Sequence, residues 1–411
     1  MEALLAKYLK EPLQWEASQL PSASVKYRAI NEEEPAGPVA GPSRLPAGKT
    51  SSSAPSPSPA QPRPLQRQDK SPASSGKDAD LFPGKVPLQF PGGLKRAGAG
   101  LHNRGNTCYM NSTMQALLHT PPLAHLLLTR DTYQLKGRFG GTIQGFDPVK
   151  ALQSLTERAL TANGKGVGGV TTPVEFIKNL RIVARTFHTG RQEDAHEWLR
   201  LLLESVQQAC LASASPAVKQ SALKETTFIQ KIFGGKLLSR VTCLSCQHNS
   251  DTFDPILDLS LDIRGCDNLG QAMSNFTQID ELRGSEKYKC EKCKRLVVAR
   301  KQFTLDKCPE VLTVHLKRFT FTGSKLSRAI AFPDKFKISP SWTSNKQPGP
   351  TYSLYAVVHH HGGGPHSGHY VAEVKSPAGV WCDMNDDFVS PQRQSPAAHS
   401  SKSAYMLFYV K

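Results

Sequence analysis

The sequence predicts an α+β fold in which helices come first along the chain and strands come later. Apolar residues follow helical spacing from Cys108 to Leu118, and the pair Pro121-Pro122 is expected to end that run. A second, longer helix is predicted from about Gln192 to Cys210. Beyond Phe228 the pattern changes to short runs that are typical of strands. Helices followed by strands favour an α+β fold with a mainly antiparallel sheet.

Each predicted element has its own pattern of apolar residues. The first helix carries its apolar residues at Met110, Met114, Leu117 and Leu118. The second helix has one apolar face, formed by Ala195, Leu199, Leu202 and Val206. The predicted strands are KLLSRVTC, PILDLSLDI, VLTVHLKRFTF, YSLYAVVHH, HYVAEVK and AYMLFYVK.

The first 98 residues differ in composition from the rest of the chain. Residues 1–15 fit a short amphipathic helix, in which Leu5, Leu9 and Leu13 fall four residues apart. From about Pro21 to Gly98 the chain is rich in Pro, Ser, Gly, Ala and Gln, and it holds too few apolar residues to order itself. Within it, only the stretch LFPGKVPLQF is expected to pack on the domain edge. We therefore predict a mostly disordered tail over residues 1–98 and a folded domain over residues 99–411.

The chain of 411 residues has a net charge of +17, most of which lies in the predicted domain. Such an excess attracts nucleic acid and other acidic partners, although it also serves solubility alone. The sequence has no RRM, KH or zinc-finger helix pattern, so we expect at most weak nucleic-acid contact through a basic surface. The N-terminus lacks a continuous apolar signal region, and no apolar run approaches the ~18 residues of a membrane span. These features predict an intracellular protein with no membrane contact.

Four of the nine cysteines form two CxxC pairs, which indicates metal binding in a reducing compartment rather than a disulfide framework. Cys243 and Cys246 form the first pair, and Cys290 and Cys293 form the second. Two such pairs complete a closed tetrahedral site for one structural Zn²⁺. The other cysteines outside the candidate active site, expected to be core or surface thiols, are Cys210, Cys266, Cys308 and Cys382.

A candidate nucleophile stands at the start of the first helix, in the segment GNTCYMN. The free backbone N–H groups at a helix N-terminus favour the thiolate of Cys108 and help to hold an oxyanion. The side-chain amide of Asn103, five residues upstream, is a further oxyanion donor, of a kind typically worth ~3 kcal/mol of barrier. A buried structural cysteine is the alternative, but two downstream partners favour the catalytic interpretation.

Those partners lie near the C-terminus. His369 follows a glycine-rich loop and begins a predicted strand, and we expect its Nε2 to face the thiol. Asn385 is expected to accept a hydrogen bond from its Nδ1–H; Asp386 is the alternative, since a carboxylate also stabilises an imidazolium. The neighbouring histidines at 359, 360, 361 and 366 are interpreted as polar loop residues rather than metal ligands, because glycines and a proline interrupt them.

From about Gly100 to Lys411 the sequence resembles the ubiquitin-specific protease family of cysteine deubiquitinases. The resemblance implies a papain-like right-hand fold of thumb, palm and fingers. It also implies that Cys108 is the nucleophile and His369 the base, with Asn385 in the third triad position, Asp386 beside it and Asn103 in the oxyanion position. The motifs that carry the resemblance, in chain order, are GLHNRGNTCYMNSTMQ, RQEDAHEWL, the two CxxC pairs, PEVLTVHLKRF, YSLYAVVHHHGGGPHSGHY and WCDMNDDFVS.

The resemblance further implies how ubiquitin is held. Asp194 and Glu197 match the family's acids that bind the basic C-terminal tail of ubiquitin, whose arginines favour carboxylate partners. His361 and Tyr370 match residues that line the narrow channel for the terminal Gly-Gly. The segment LFPGKVPLQF is similar to the nuclear and nucleolar branch of the family, which predicts a nuclear or nucleolar location.

Three hypotheses about function remain at this point. The first is an active deubiquitinase, probed most simply by turnover of a fluorogenic ubiquitin substrate. The second is a catalytically dead ubiquitin-binding scaffold, although every triad position is filled. The third is a protease for another ubiquitin-like modifier. In each case we expect a monomer whose partners are ubiquitin, or a related modifier, and modified proteins.

Overall fold

Helices occupy the first half of the described chain and strands the second half. The computed structural model describes residues 80–161, 169–320, 324–364 and 367–411, which belong to a unit that begins at Ser74. The predicted N-terminal helix, and the predicted tail up to residue 79, lie outside the described residues. The described α-helices are α1 Cys108–Leu118, α2 Pro121–Thr129, α3 Thr132–Lys136, α4 Pro148–Leu160, α5 Val174–Lys178, α6 Leu180–Val183, α7 Ala195–Cys210, α8 Pro216–Gln220, α9 Phe228–Phe233 and α10 Leu269–Phe276.

The strands form two large sheets and two small strand pairs within the described residues. The described strands are β1 Gly100–Leu101, β2 Val170–Thr171, β3 Gly235–Cys243, β4 Asn249–Ile256, β5 Leu259–Asp262, β6 Ile279–Leu282, β7 Tyr288–Lys289, β8 Leu296–Val297, β9 Ala299–Lys307, β10 Val311–Lys317, β11 Lys335–Lys337, β12 Thr351–Gly364, β13 Ser367–Lys375, β14 Trp381–Asn385, β15 Phe388–Pro391 and β16 Ala404–Val410.

The larger sheet has eight strands, in the order β15-β14-β13-β12-β16-β10-β5, with β11 paired to β12. All of its pairs are antiparallel except β5 with β10. The second sheet is antiparallel in the order β4-β3-β9-β6, and a short hairpin of β7 and β8 follows β6 in the chain. The predicted α+β fold with a mainly antiparallel sheet is confirmed.

The element boundaries differ from the predicted ones for local reasons. Pro121 starts α2 rather than only ending the first helix, because proline is well tolerated at the first helical position. The second predicted helix begins three residues late, at Ala195, because Asp194 caps it. The run PILDLSLDI divides between β4 and β5. The helix α10 interrupts the strand region, and Asn268 caps its N-terminus.

The helix α1 is packed between α7 and the large sheet, where it lies against β13. All eleven of its residues are buried, so its polar side chains also face protein. This packing fixes the first residue of α1 beside β13 and therefore brings the two distant halves of the chain together.

The start of the segment LFPGKVPLQF, at Leu81 and Phe82, packs on the domain. Leu81 and Phe82 are each 4% exposed. The backbone N–H of Phe82 donates to the Thr226 carbonyl at 3.0 Å, and its ring lies edge-on to that of Phe228. The LFPGKVPLQF stretch thus contacts the domain, as predicted for it.

Among the helices in the described ranges, none is both long enough and apolar enough to cross a membrane.

Candidate active site

The thiol of Cys108 lies at the first residue of α1 and is 3% exposed. Burial raises the pKa of this thiol, and the charge of Asp386 adds to that effect. Backbone N–H groups of Tyr370, Tyr109 and Cys108 itself act in the opposite direction. The helix N-terminus therefore favours the thiolate as predicted, but burial outweighs it, and the free thiol needs a base to take its proton.

The loop before α1 is held in one conformation by Asn103. Its side-chain oxygen accepts hydrogen bonds from the backbone N–H groups of Gly105 and Thr107, both at 3.1 Å. Gly105 has a φ of 91°, a conformation that favours glycine. Because the oxygen of the Asn103 amide is engaged in the loop, its NH₂ group faces the other way, where one hydrogen bonds to Asp386.

Asp386 binds the loop before α1 and α1 itself rather than the histidine. One carboxylate oxygen accepts from Asn103 Nδ2 at 2.8 Å, and the other accepts from Asn111 Nδ2 at 2.8 Å. Asp386 has a φ of 49° and follows directly after β14, so a tight turn directs its side chain towards α1. Both carboxylate oxygens of Asp386 are thus bonded to side-chain amides, and one of these bonds positions Asn103.

His369 and Asn385 are joined across neighbouring strands. His369 Nε2 lies 2.8 Å from Asn385 Oδ1. The prediction that Nδ1 would contact Asn385 and Nε2 the thiol is wrong, because the Nε2 edge of the ring faces Asn385. Nδ1 is therefore the nitrogen left to act on the thiol. No hydrogen bond joins thiol and imidazole among the described residues, and such bonds often tighten only when substrate binds.

Gln192 is a residue of this site that the sequence did not single out. Its side-chain amide donates to the carbonyl of Gly368 and accepts from the N–H of the same residue, both at 2.8 Å. Gly368 directly precedes His369, so Gln192 ties the start of β13 to the loop before α7. The motif RQEDAHEWL contains Gln192, but its partner is a backbone group 176 residues away, which no local pattern indicates.

The two predicted tail-binding acids have different surroundings. One carboxylate oxygen of Asp194 accepts from the backbone N–H groups of His196 and Glu197, which caps α7. The other accepts from the Tyr405 hydroxyl at 2.5 Å. Glu197 is exposed in the first turn of α7 and makes no side-chain hydrogen bond within the described part of the chain. The carboxylate of Glu197 is therefore more available than that of Asp194 to pair with a positively charged group.

The two predicted channel residues lie on β12 and β13. His361 is exposed and is the cross-strand partner of His369. Partial burial lowers the pKa of His361, and the charge of the nearby His359 lowers it further. Tyr370 is buried, and its ring packs near His360 and Tyr405, with centroid distances of 4.6 and 5.9 Å. Burial raises the pKa of the Tyr370 phenol, so it stays protonated.

The four cysteines of the CxxC pairs come together at the end of the second sheet. The Sγ atoms of Cys243 and Cys293 lie 3.9 Å apart, and those of Cys246 and Cys290 lie 3.7 Å apart. All four lie within 4.8 Å of one another, and theirs is the one such cluster within the described ranges. A tetrahedral zinc with Zn–S bonds of about 2.3 Å requires sulfur atoms about 3.8 Å apart. The donor set therefore fits zinc.

Comparison with known proteins gives consistent results. A family profile described as ubiquitin carboxyl-terminal hydrolase matches residues 99–409. Human ubiquitin carboxyl-terminal hydrolase 42 is 38% identical over 355 residues, which cover 84% of this chain and 26% of that protein. Hydrolase 23 of Arabidopsis thaliana is 39% identical over 326 residues, or 79% of this chain and 37% of that protein. Human hydrolase 17-like protein 6 is 35% identical over 376 residues, or 88% of this chain and 89% of that protein.

The chain thus spans about a quarter of the first of these relatives and over a third of the second. Among solved structures, the SAGA Ubp8/Sgf11/Sus1/Sgf73 DUB module bound to monoubiquitin matches with a TM-score of 0.63 at 28% identity, over 76% of this chain and 68% of that chain. The module bound to ubiquitin aldehyde gives 0.62 at 25% identity, over 76% and 69%. The predicted papain-like right-hand fold is confirmed, and the chain belongs to the ubiquitin carboxyl-terminal hydrolase family.

Proposed function

We propose that residues 99–411 form the catalytic domain of a thiol-dependent deubiquitinase. It hydrolyses the peptide or isopeptide bond after the C-terminal glycine of ubiquitin. The observation that carries this proposal is the 2.8 Å contact between His369 and Asn385, on a strand whose next N–H, that of Tyr370, points at the Cys108 thiol. A nucleophile, a base and a group that orients the base are the parts of such an enzyme.

The proposed reaction begins with transfer of the Cys108 proton to Nδ1 of His369. The thiolate attacks the carbonyl carbon, and the free N–H of Asn103 together with the N–H of Cys108 hold the resulting oxyanion. When the intermediate collapses, the leaving amine takes the proton from the imidazolium. Water then hydrolyses the thioester with His369 as the base, which releases ubiquitin and restores the thiol.

We propose that ubiquitin is recognised by negative charge at the entrance of the channel for its C-terminal tail and by the narrowness of that channel at its inner end. Glu197, exposed on α7, is placed to pair with an arginine of the ubiquitin tail. Asp194 adds negative charge there, although its oxygens already cap α7 and accept from Tyr405. His361 and Tyr370 are proposed to flank the path of the Gly-Gly end, beside His369 on paired strands.

We propose that Cys243, Cys246, Cys290 and Cys293 hold one structural zinc ion. A closed site of four thiolates leaves no coordination position for substrate, so the metal would stabilise the end of the second sheet and take no part in hydrolysis. The N–H groups of Cys246 and Cys293 point at the sulfur atoms of Cys243 and Cys290, which supports thiolates at these positions.

We propose weak nucleic-acid contact for the hairpin of β7 and β8 and the residue just before it. Its exposed basic side chains make no ion pair within the described ranges, and they outnumber the two exposed acids beside them, Glu286 and Glu291. Binding of a fluorescent RNA or DNA that weakens steeply with salt would support this contact. The exposed basic residues of this hairpin and just before it are Lys287, Lys289, Lys292, Lys294 and Arg295.

We also propose that the protein is a monomer and that it acts in the nucleus or nucleolus. The location rests on the similarity of LFPGKVPLQF to the nuclear branch of the family. Light scattering of the purified chain tests the oligomeric state, and the position of a fluorescent fusion in cells tests the location.

The function is tested with fluorogenic substrates made from ubiquitin and from other ubiquitin-like modifiers. We expect turnover of the ubiquitin substrate by the wild-type chain and none by Cys108→Ala. Binding of ubiquitin without turnover would show a scaffold instead. Faster turnover of another modifier's substrate would show that the enzyme is a protease for that ubiquitin-like modifier.

A further inference from the structure

Two histidine rings stack where the start of α7 meets the large sheet. His196, in the first turn of α7, and His315, on β10, have ring centroids 3.8 Å apart and planes only 15° from parallel. His196 stands directly before Glu197 and two residues after Asp194, the two acids proposed to receive the ubiquitin tail. We call His196 and His315 the histidine pair. The pair therefore supports the end of the helix that carries both acids.

Hydrogen bonds fix the position of the proton on His315. Ser260, its direct partner on β5, donates its hydroxyl to Asp258 Oδ2 at 3.3 Å. The Ser260 oxygen therefore accepts from His315 Nδ1–H, at 2.9 Å. His315 Nε2 is then a buried acceptor, and it has no hydrogen-bond partner within the described residues. A second proton on this ring would be buried without an acceptor, so the site favours the neutral ring.

The other ring is held by the same carboxylate. His196 Nε2 lies 2.8 Å from Asp258 Oδ2, and these side chains are 12% and 16% exposed. This carboxylate stabilises one positive charge on His196, but a second charge on the ring stacked against it is repelled. Burial lowers the pKa of His315 well below its ordinary value, and the charge of His196 adds to that effect. The stacked pair therefore holds at most one positive charge.

A second contact joins the same end of the helix to the sheet. The Tyr405 ring, on β16, meets that of His315 edge-on at a centroid distance of 4.8 Å. The Tyr405 hydroxyl donates to Asp194 Oδ2 at 2.5 Å. Asp194 Oδ1 accepts from the backbone N–H groups of His196 and Glu197, both at 2.8 Å. The position of Glu197 thus depends on continuous contacts that run from β5 through the histidine pair to β16.

We propose that His196 and His315 are positioning residues for the two ubiquitin-tail acids, and that they hold the start of α7 on the sheet only while one of the two rings is neutral. This role deepens the proposed function and rests on its assignment of Glu197 and Asp194. Gain of a second proton separates the rings and releases the turn. The titratable and charged groups around the pair are Asp194, Glu197 and Arg200 at the start of α7, Asp258 before β5, Lys317 on β10 and Tyr405 on β16.

The size of the effect follows from proton linkage. The separated rings bind two protons and the stacked pair binds one, so opening of the helix start takes up one proton and becomes easier as the pH falls. With an ordinary histidine pKa of about 6.5 for the released ring, the open fraction should rise about tenfold between pH 7.5 and pH 5.5. Above pH 7.5 the released ring is neutral, and the dependence on pH should vanish.

The test is hydrogen–deuterium exchange of the wild-type chain, followed by mass spectrometry, because exchange of a closed segment reports how often it opens. Rates are divided by those of an unstructured peptide at each pH. We expect the protection of the peptide that contains the first turn of α7 to fall about tenfold between pH 7.5 and pH 5.5. The internal reference is α10, which contains no histidine and whose protection should fall far less.

Two variants assign the effect to the histidine pair. His315→Gln keeps a donor for Ser260 but gains no proton, so its α7 protection should change less than about threefold over the same range. His196→Gln keeps a donor for Asp258 and removes the charge stacked on His315, so it should also reduce the fall, and it decides the matter if His315→Gln does not fold. His399→Gln, which replaces an exposed histidine between β15 and β16, is the matched control and should behave as wild type. Equal falls in α7 and α10, or no reduction in the variants of the pair, would overturn the proposal.

Ubiquitin binding to Cys108→Ala is measured alongside by calorimetry at both pH values. We expect binding to be up to about tenfold weaker at pH 5.5, with a smaller loss when His315→Gln is added. Binding that does not change with pH, despite the fall in α7 protection, would overturn the positioning role. Absence of ubiquitin binding at pH 7.5 would overturn the proposed function, whereas the exchange measurement needs no ubiquitin and decides by itself whether proton uptake opens the start of α7.

Discussion

Replacing Asp386 with alanine should lower kcat by about 5- to 30-fold. The substitution removes two hydrogen bonds of 2.8 Å, to Asn103 and to Asn111. An oxyanion donor, the role proposed for Asn103, is worth ~3 kcal/mol. Its oxygen would still accept from Gly105 and Thr107, so only part of that value is lost, and we expect about 1–2 kcal/mol.

The assay is steady-state turnover of a ubiquitin–fluorophore substrate by four proteins: wild type, Asn103→Ala, Asp386→Ala and the double variant. Because Asp386 acts through Asn103, the double variant should be no slower than Asn103→Ala alone. Asp387→Ala is the matched control, since its carboxylate contacts His102 and makes no hydrogen bond to Asn103 or Asn111. Changes in kcat that multiply in the double variant would refute this reasoning.

Asp386→Ala should also reduce stability. Asn111 is 1% exposed and would keep only its bond to the Leu101 carbonyl, at 3.0 Å. Loss of a charged acceptor at such a site costs about 1–2 kcal/mol, measurable by urea unfolding. Asn385→Ala, by contrast, removes an acceptor at a partly exposed site and should lower kcat/KM more than it lowers stability. If Asp386→Ala loses far more activity than Asn385→Ala, the roles of Asp386 and Asn385 are reversed.

Four further predictions follow from named contacts. Cys108→Ala should abolish turnover and keep ubiquitin binding in calorimetry; turnover above about a tenth of wild type would contradict its role. Cys243→Ser should lower the zinc content and the thermal stability without changing the rate of Cys108 alkylation, whereas zinc-free wild-type protein on elemental analysis would exclude the site. Gln192→Ala should lower kcat by about tenfold while Gln192→Glu recovers little, because only an amide can both donate to and accept from Gly368. Burial lowers the pKa of His119 to about 4, so below pH 6.5 the unfolded chain binds a proton that the folded chain does not. The free energy of unfolding should therefore fall by up to about 3 kcal/mol between pH 7 and pH 4. The His119→Gln variant should show a smaller fall over the same range.

Local patterns were sufficient to predict the elements that carry the nucleophile and the base. The helix at Cys108 follows from apolar spacing, and its predicted bounds agree with those of α1. The four cysteines were predicted as one cluster because CxxC spacing is itself a ligand pattern, and their sulfur atoms do meet. The helix depends on residues close together in sequence, whereas the cluster joins two local CxxC pairs that lie more than 40 residues apart.

Contacts between distant segments were not predictable in the same way. The bonds of Asp386 to Asn103 and Asn111 join residues more than 270 positions apart, and the sequence offered only the choice between two possible partners for His369. The ring orientation of His369 depends on its side-chain torsions, which residue spacing does not specify. The raised pKa of Cys108 depends on how fully α1 is buried, and composition does not reveal that.

The most direct test of the proposed chemistry is the site of covalent capture by a ubiquitin probe with an electrophilic C-terminus. The probe is incubated with the wild-type chain, and the adduct is mapped by peptide mass spectrometry. We predict one adduct, on Cys108, that is lost in Cys108→Ala and strongly slowed in His369→Ala. An adduct on any other cysteine, or no adduct with a probe that labels a known deubiquitinase, would contradict the assignment of Cys108 as the nucleophile.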